Sequence, residues 1–177
     1  MSVVMMGGVP TSGNGTIVKR VIRGFDKPEL VEPMSLFPFQ RDGDVLIVGR
    51  YPDGEMHSGT SHMTYGAVSK FSEFILQEYP KHRHMVIEHD RFFTMKNIEW
   101  FVSGFESKMY VLQVSQGVQR KRHYLRDKQT EIWLKGKQTQ IQHVLTNLVL
   151  MGHLEIRTTE TCSDTENVVN EISDLLR

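Results

Sequence analysis

Nine residues near the start, Gly8-Val9-Pro10-Thr11-Ser12-Gly13-Asn14-Gly15-Thr16, have the types and spacing to hold a chain of phosphates. Glycines let the backbone curl until several N–H groups face one centre, and a helix that begins there adds its positive dipole end. The apolar run Val3-Val4-Met5-Met6 leads into this stretch and a helical pattern follows, which completes a strand, turn and helix. On this reading Gly8, Ser12, Gly13, Asn14, Gly15 and Thr16 surround the phosphates, and the Thr16 hydroxyl stands where a magnesium ligand is expected. The usual pattern, G-x-x-x-x-G-K, ends in lysine. Here that place is Asn14, which supplies a dipole instead of a full charge.

Phosphoryl transfer asks a protein for positioning, a metal and cations around the developing charge. Three further segments could supply these. In Glu88-His89-Asp90-Arg91, Glu88 or Asp90 could hold magnesium or take a proton from an attacking hydroxyl, and Arg91 could bind an acceptor phosphate or steady a carboxylate. A polar turn with a helix cap is the plainer role for the same four residues. In Arg120-Lys121-Arg122-His123-Tyr124-Leu125-Arg126, helical spacing puts Arg122 and Arg126 on one face as a phosphate clamp, with Arg120 elsewhere on the wheel. In Gly49-Arg50-Tyr51 and the glycine-bearing loop that runs to Gly59-Thr60, Arg50 stands at a strand end where an acceptor would sit. Tyr51 could stack on a base there. The eight histidines are scattered, His82 and His84 flank Arg83, and no H-E-x-x-H is present, so a histidine metal centre is not expected.

Apolar runs alternate with helical patterns, which predicts a parallel sheet covered by helices. Strands are expected at Val3–Met6, Asp44–Val48, His84–Ile87, Met109–Val114 and Leu154–Ile156. Helices are expected at Thr16–Phe25, Tyr65–Tyr79, Asn97–Phe105, Ser115–Asp127, Gln129–Leu148 and Ser163–Leu176. The second of these should face inward through Val68, Phe71, Ile75 and Leu76, and the last should be capped by Ser163 or Asp164. The stretch 28–40 holds Pro28, Pro33 and Pro38 and is expected to be mostly extended. The four candidate segments all fall at strand ends, where a doubly wound sheet binds its ligands.

Length and composition narrow the classes. At 177 residues the chain suits one domain with a core that needs no staples. Lysines and arginines number 21, as do aspartates and glutamates, which argues against a general nucleic-acid binder. The charge is uneven: seven Lys or Arg lie between Arg120 and Lys137, and the last helix is acidic. Cys162 is the only cysteine, so no internal disulfide forms, and a reducing cytosol fits. No run approaches the ~20 apolar residues of a membrane span, the start lacks the basic flank of a signal peptide, and no membrane partner is expected.

These motifs resemble a small P-loop kinase of the nucleoside and nucleotide kinase superfamily, especially the short kinases of bacteriophages. The resemblance rests on G-V-P-T-S-G-N-G-T (8–16), V-I-E-H-D-R-F-F (86–93), Tyr110–Arg126, Gln129–Thr139, and V-G-R-Y with Gly59-Thr60. It implies an α/β, three-layer P-loop NTPase fold with a five-stranded, mostly parallel sheet and a short helical lid over 115–137. It implies ATP and Mg2+ as cofactors, with Gly8 to Thr16 on the donor phosphates. Arg120, Arg122 and Arg126 would belong to the lid, Glu88 and Asp90 would serve metal or acceptor, and Arg50, Tyr51 and Thr60 would lie on the acceptor side. Asn14 makes the loop a degenerate Walker A sequence, and Thr11 replaces a frequent glycine. Three functions follow as expectations: a deoxynucleoside monophosphate kinase, a kinase acting on 5-hydroxymethyluracil within phage DNA, or a non-catalytic relative that binds a nucleotide or a partner. A phage-encoded chain of this kind would work in the host cytoplasm.

Overall fold

The computed structural model describes residues 2–32, 34–52, 59–60, 63–88, 91–125, 130–147 and 149–177. The chain opens with β1 (Ser2–Gly8) and α1 (Asn14–Arg23), followed by three short strands, β2 (Glu29–Val31), β3 (Phe39–Asp42) and β4 (Val45–Val48). Next come α2 (Gly66–Glu78), β5 (His84–Glu88), α3 (Met95–Gly104), β6 (Ser107–Gln113) and α4 (Gln116–Tyr124). It closes with α5 (Glu131–Thr146), β7 (Leu154–Thr158) and α6 (Cys162–Leu175). One seven-stranded sheet runs β2-β3-β4-β5-β1-β6-β7. From β4 to β7 every pairing is parallel, and β2 and β3 join antiparallel at one edge.

The five parallel strands are those expected from sequence. The two extra strands are a correction to the five-stranded sheet. They come from the proline-bearing stretch, where Pro28 and Pro38 immediately precede β2 and β3 and do not interrupt them. Proline at the first position of a strand removes no ladder hydrogen bond. An extended segment beside the open edge of β4 therefore pairs with it instead of remaining a loop.

β1 explains the layering. Its residues alternate between two cores, Val3 and Met5 facing one and Val4 and Met6 the other. A strand covered on both faces has to be apolar without alternation, as this one is. The first core collects α2, α3 and the end of α5 through Phe71, Phe74, Ile75, Ile98, Phe101, Ile141 and Val144. The second packs α1 (Ile17, Val18, Val21, Ile22) and α6 (Val168, Val169, Ile172) on the opposite face. An exposed Arg20–Glu166 ion pair of 2.6 Å spans the two helices.

Three local expectations shift. α2 buries Ala67, Phe71, Phe74, Ile75 and Glu78, while Val68 and Leu76 are exposed. Aromatic stacking sets this rotation, with Phe74 on Phe37 at 4.4 Å and Phe71 on Phe92 at 4.2 Å between ring centres. α6 is capped by Thr161, in a capping box with Asp164, not by Ser163 or Asp164 as the cap residue. The helix expected over Gln129–Leu148 spans Glu131–Thr146, and its Ile141 and Val144, beyond the 115–137 segment expected as a lid, belong to the main core. Among the described residues, no helix is long and apolar enough to cross a membrane.

Phe71→Ala removes a ring stacked on Phe92 and edge-on to Phe101. It is expected to cost about 3–5 kcal/mol, read from the shift in the urea unfolding curve.

A second prediction concerns pH. His82 is buried below the end of α2, against the Phe39 ring, with Nε2 3.4 Å from Glu78 Oε2. Desolvation holds its pKa below the ordinary 6.5, opposed in part by Glu78 and reinforced by Arg41 and Lys81. Burial lowers His84 in the same way. A depressed folded pKa means that the unfolded chain takes the proton first. The stability is therefore complete above pH 6.5 and is lost as pH falls through the lower folded values. Urea unfolding at a series of pH values from neutral downward should show this slope, and His82→Gln should flatten it.

Candidate phosphate-binding site

The parallel order around β1 creates a crevice. From β1 the chain builds β4 and β5 on one side, then crosses to β6 on the other. Loops at the carboxyl ends of such a sheet diverge at that point and leave space for a ligand. The 9–13 loop leaves β1 there. Val9 N–H donates to the Leu112 carbonyl of β6 at 3.3 Å, and Ser12 N–H donates back to Val9 at 3.1 Å. Gly13, with φ of 100°, turns the chain into α1. α1 has no side-chain cap and no acid in its first turn. Its leading N–H groups are thus left for an outside acceptor, reinforced by the helix dipole.

Gly8 is required for a different reason. A Cβ at that position would run into the Leu112 carbonyl oxygen and lie 2.7 Å from Ser12 Oγ. Ser12 is buried, and its hydroxyl donates to Asn14 Oδ1 at 3.2 Å. Asn14, at the lysine place, is therefore tied into the loop as the first residue of α1. Gly15 follows it in the same turn, and Thr16 is exposed on the rim.

A cavity of about 450 Å³ adjoins the loop, lined among others by Thr11, Gly13, Thr16, Arg20, Arg122 and Thr161. Its far wall is the β7–α6 connection. Arg122 on α4 lies between the two walls: Nη1 donates to the Thr11 carbonyl at 3.2 Å, and Nη2 to the Thr159 and Glu160 carbonyls at 2.6 and 3.1 Å. Arg120, on the same helix, is exposed. Its expected companion Arg126 lies outside the described residues.

The other side of β1 holds the remaining candidates. Glu88 ends β5 beside Met6 and is only 3% exposed. The Tyr51 hydroxyl lies 3.3 Å from Glu88 Oε1 and 3.2 Å from the Val48 carbonyl. Burial and then the Glu88 charge raise the Tyr51 pKa well above its ordinary value, so the phenol stays protonated and donates. Tyr51 is thus an interior residue here, where stacking on a base was expected. Thr60 Oγ1 donates to the Glu88 carbonyl at 3.0 Å and is itself fully buried. Arg50 is exposed, and its backbone pairs with Gly59 across the loop mouth. Arg91 donates to the Met63 carbonyl at 2.6 Å and lies over the Tyr65 ring at 4.5 Å. Asp90 lies outside the described residues. Among the described residues, no group of three or more His, Cys, Asp or Glu could hold a metal ion.

The fold thus brings the loop, Arg122 and Thr16 to one cavity, and Glu88, Tyr51 and Thr60 to one cluster across β1. Sequence reasoning missed Gln119, Thr159 and Glu160. Gln119 is buried and donates to the Pro10 carbonyl at 3.2 Å, Thr159 donates to the Ser12 carbonyl at 2.6 Å, and Glu160 accepts from Ser115 N–H at 2.7 Å. The T-T-E-T-C-S-D run at 158–164 carried a cap signal, but nothing in it announced a contact with residue 12.

Gly8→Ala should move the loop and weaken binding of inorganic triphosphate by about tenfold or more, the effect of losing one charge-assisted hydrogen bond. Gly104→Ala, at the end of α3, where an added Cβ meets nothing within 4 Å, serves as the control and should leave binding unchanged. Calorimetry on both variants checks this.

No protein-family model matches the chain, and no curated protein matches it in sequence. Solved structures do match, 46 chains in all. The shikimate kinase of Bacteroides thetaiotaomicron aligns over 99% of this chain and 98% of its own, with a TM-score of 0.50 and 13% identity. The gluconokinase of Sinorhizobium meliloti 1021 aligns over 99% and 97%, with a TM-score of 0.43 and 14% identity. The fold assignment rests on the first alone. The chain has the α/β, mostly parallel, helix-covered architecture of the P-loop kinase fold, with a sheet of seven strands.

Proposed function

We propose that this protein transfers the γ-phosphoryl group of ATP, with magnesium, to a small-molecule acceptor, and that the acceptor is a nucleotide of the deoxynucleoside monophosphate class. The observation that carries the proposal is the glycine-containing loop at the end of the central strand. It leads into an uncapped helix and opens on a cavity of about 450 Å³. The likeness to a shikimate kinase supports phosphoryl transfer in kind. The nucleotide acceptor is supported by the sequence resemblance and by the cations Arg50 and Arg91, which follow β4 and β5 on the same side of the sheet order as Glu88.

In this proposal the amides of Gly13, Asn14 and Gly15 hold the donor phosphates and Thr16 serves the metal, with Asp90 as its second candidate ligand. Arg120 of α4 is assigned to the donor phosphates, a role that the sequence also gives to Arg126, outside the described residues. A hydroxyl acceptor is the second reading, and Glu88 favours it. A carboxylate held out of bulk water beside the loop suits a general base, which a phosphate acceptor does not need. The hydroxymethyl group of a modified base in DNA belongs to this class.

Incubation with ATP, magnesium and each deoxynucleoside monophosphate should yield a diphosphate from at least one of them. Labelled ATP offered to hydroxymethyluracil DNA and to plain DNA tests the second reading, with label on the modified DNA alone as its signature. Tight ATP binding in a calorimeter without product from any acceptor would replace both with a non-catalytic nucleotide binder. Asn14→Lys should strengthen ATP binding or raise turnover by roughly tenfold to a hundredfold, since it restores a charge worth about 1.5–3 kcal/mol.

A further inference from the structure

Three consecutive carbonyls of the loop are each held by a side chain from a distant part of the chain. Pro10 O accepts from Gln119 Nε2 at 3.2 Å, Thr11 O from Arg122 Nη1 at 3.2 Å, and Ser12 O from Thr159 Oγ1 at 2.6 Å. The donors are themselves braced. Gln119 Oε1 accepts from Gln138 of α5 at 3.0 Å, and Arg122 also grips the Thr159 and Glu160 carbonyls. At the middle of the three, Thr11 has φ of 66°. A β-branched residue in the left-handed region is unfavourable and persists only when its surroundings over-determine it.

No peptide bond here is cis. In a trans peptide the carbonyl of one residue and the N–H of the next point in opposite directions. Holding the carbonyls of residues 10 to 12 therefore fixes the directions of the N–H groups of residues 11 to 13. Ser12 N–H is engaged by Val9. The N–H groups of Thr11 and Gly13, two residues that line the cavity, are aimed by the clasp.

We propose that Arg122 is a positioning residue. With Gln119 and Thr159 it clasps the loop carbonyls and so presents backbone N–H groups to an anion, in a loop whose lysine place is taken by asparagine. Its guanidinium acts on the anion through the loop and does not touch it. This assignment rests on the phosphate-binding reading for the identity of the ligand, and on the geometry alone for the clasp.

The test uses the full chain and two readouts: residue-resolved amide hydrogen exchange, and calorimetry with inorganic triphosphate. Arg122→Ala should speed exchange at Ser12 by about tenfold relative to Val4 in the core of β1, the change expected on losing one charge-assisted hydrogen bond. It should weaken triphosphate binding by a similar factor. Thr11→Gly removes the penalty of the left-handed conformation, because glycine adopts it freely. The double variant Thr11→Gly, Arg122→Ala should therefore regain a substantial part of the lost affinity. If Arg122 touched the anion directly, affinity would fall with Ser12 exchange unchanged, and Thr11→Gly would restore nothing. Either result overturns the proposal. Should the alanine variant fail to fold, Arg122→Lys gives the same reading, since one ammonium cannot span three carbonyls. If the unaltered protein binds no triphosphate, the phosphoryl-transfer function falls while the exchange measurement still decides the clasp.

Discussion

The carboxyl end of β1 has no room for side chains, and the rest of the site depends on that. A Cβ on Gly7 would lie inside the Phe93 ring, and one on Gly8 would lie against the Leu112 carbonyl. Neither glycine is needed for an unusual φ; both are needed for close approach. Because β1 is covered on both faces, its end must pass between the segment after β5 and the strand β6. The loop that follows is consequently delivered to the middle of the sheet. The Phe93 that crowds Gly7 sits next to Phe92, which stacks on Phe71 of α2, so the position of the loop is tied to the aromatic core.

The electrostatics of the site are built from backbone more than from side-chain charge. No acid precedes or opens α1, Asn14 replaces the lysine, and Arg122 has its guanidinium on three carbonyls. An anion at the loop would meet oriented N–H dipoles and a helix end, an arrangement that works only if the backbone is held still. The clasp from α4 and the β7–α6 connection supplies that rigidity. Across β1 the logic is reversed. Glu88 is a carboxyl group taken out of water that accepts from the Tyr51 hydroxyl, while Thr60 secures its backbone carbonyl. The two halves meet at β1, whose Met6 pairs with Glu88 of β5 on one side and with Tyr110 of β6 on the other.

Burial periodicity and turn chemistry are local, and they made much of this legible in the chain. Val3–Met6 announced a strand buried on both faces, Ile17, Val18, Val21 and Ile22 announced the face of α1, and the glycines from 8 to 15 announced the loop. Each follows from the residues themselves and their immediate neighbours. The additional strands β2 and β3 were hidden, because pairing an extended segment depends on an open sheet edge that only the assembled sheet provides. The rotation of α2 was hidden for a similar reason: Phe74 and Val68 are both apolar, and Phe37 decides which of them turns inward.

The roles of polar residues divided along the same line. From sequence, Arg122 was a cation on a helix face and Tyr51 an aromatic beside a strand end. What they touch is a matter of residues 111 and 37 positions away, Thr11 for the first and Glu88 for the second. Gln119 and Thr159 gave no sign at all, since an amide or hydroxyl bound to a distant carbonyl looks in sequence like any surface group. The type and spacing of residues determined that the chain would make a glycine-bearing turn between strand and helix on a parallel sheet. Only the tertiary structure decided which side chains hold that turn in shape, because hydrogen-bond partners are set by proximity in space, and proximity here is created by the sheet order around β1.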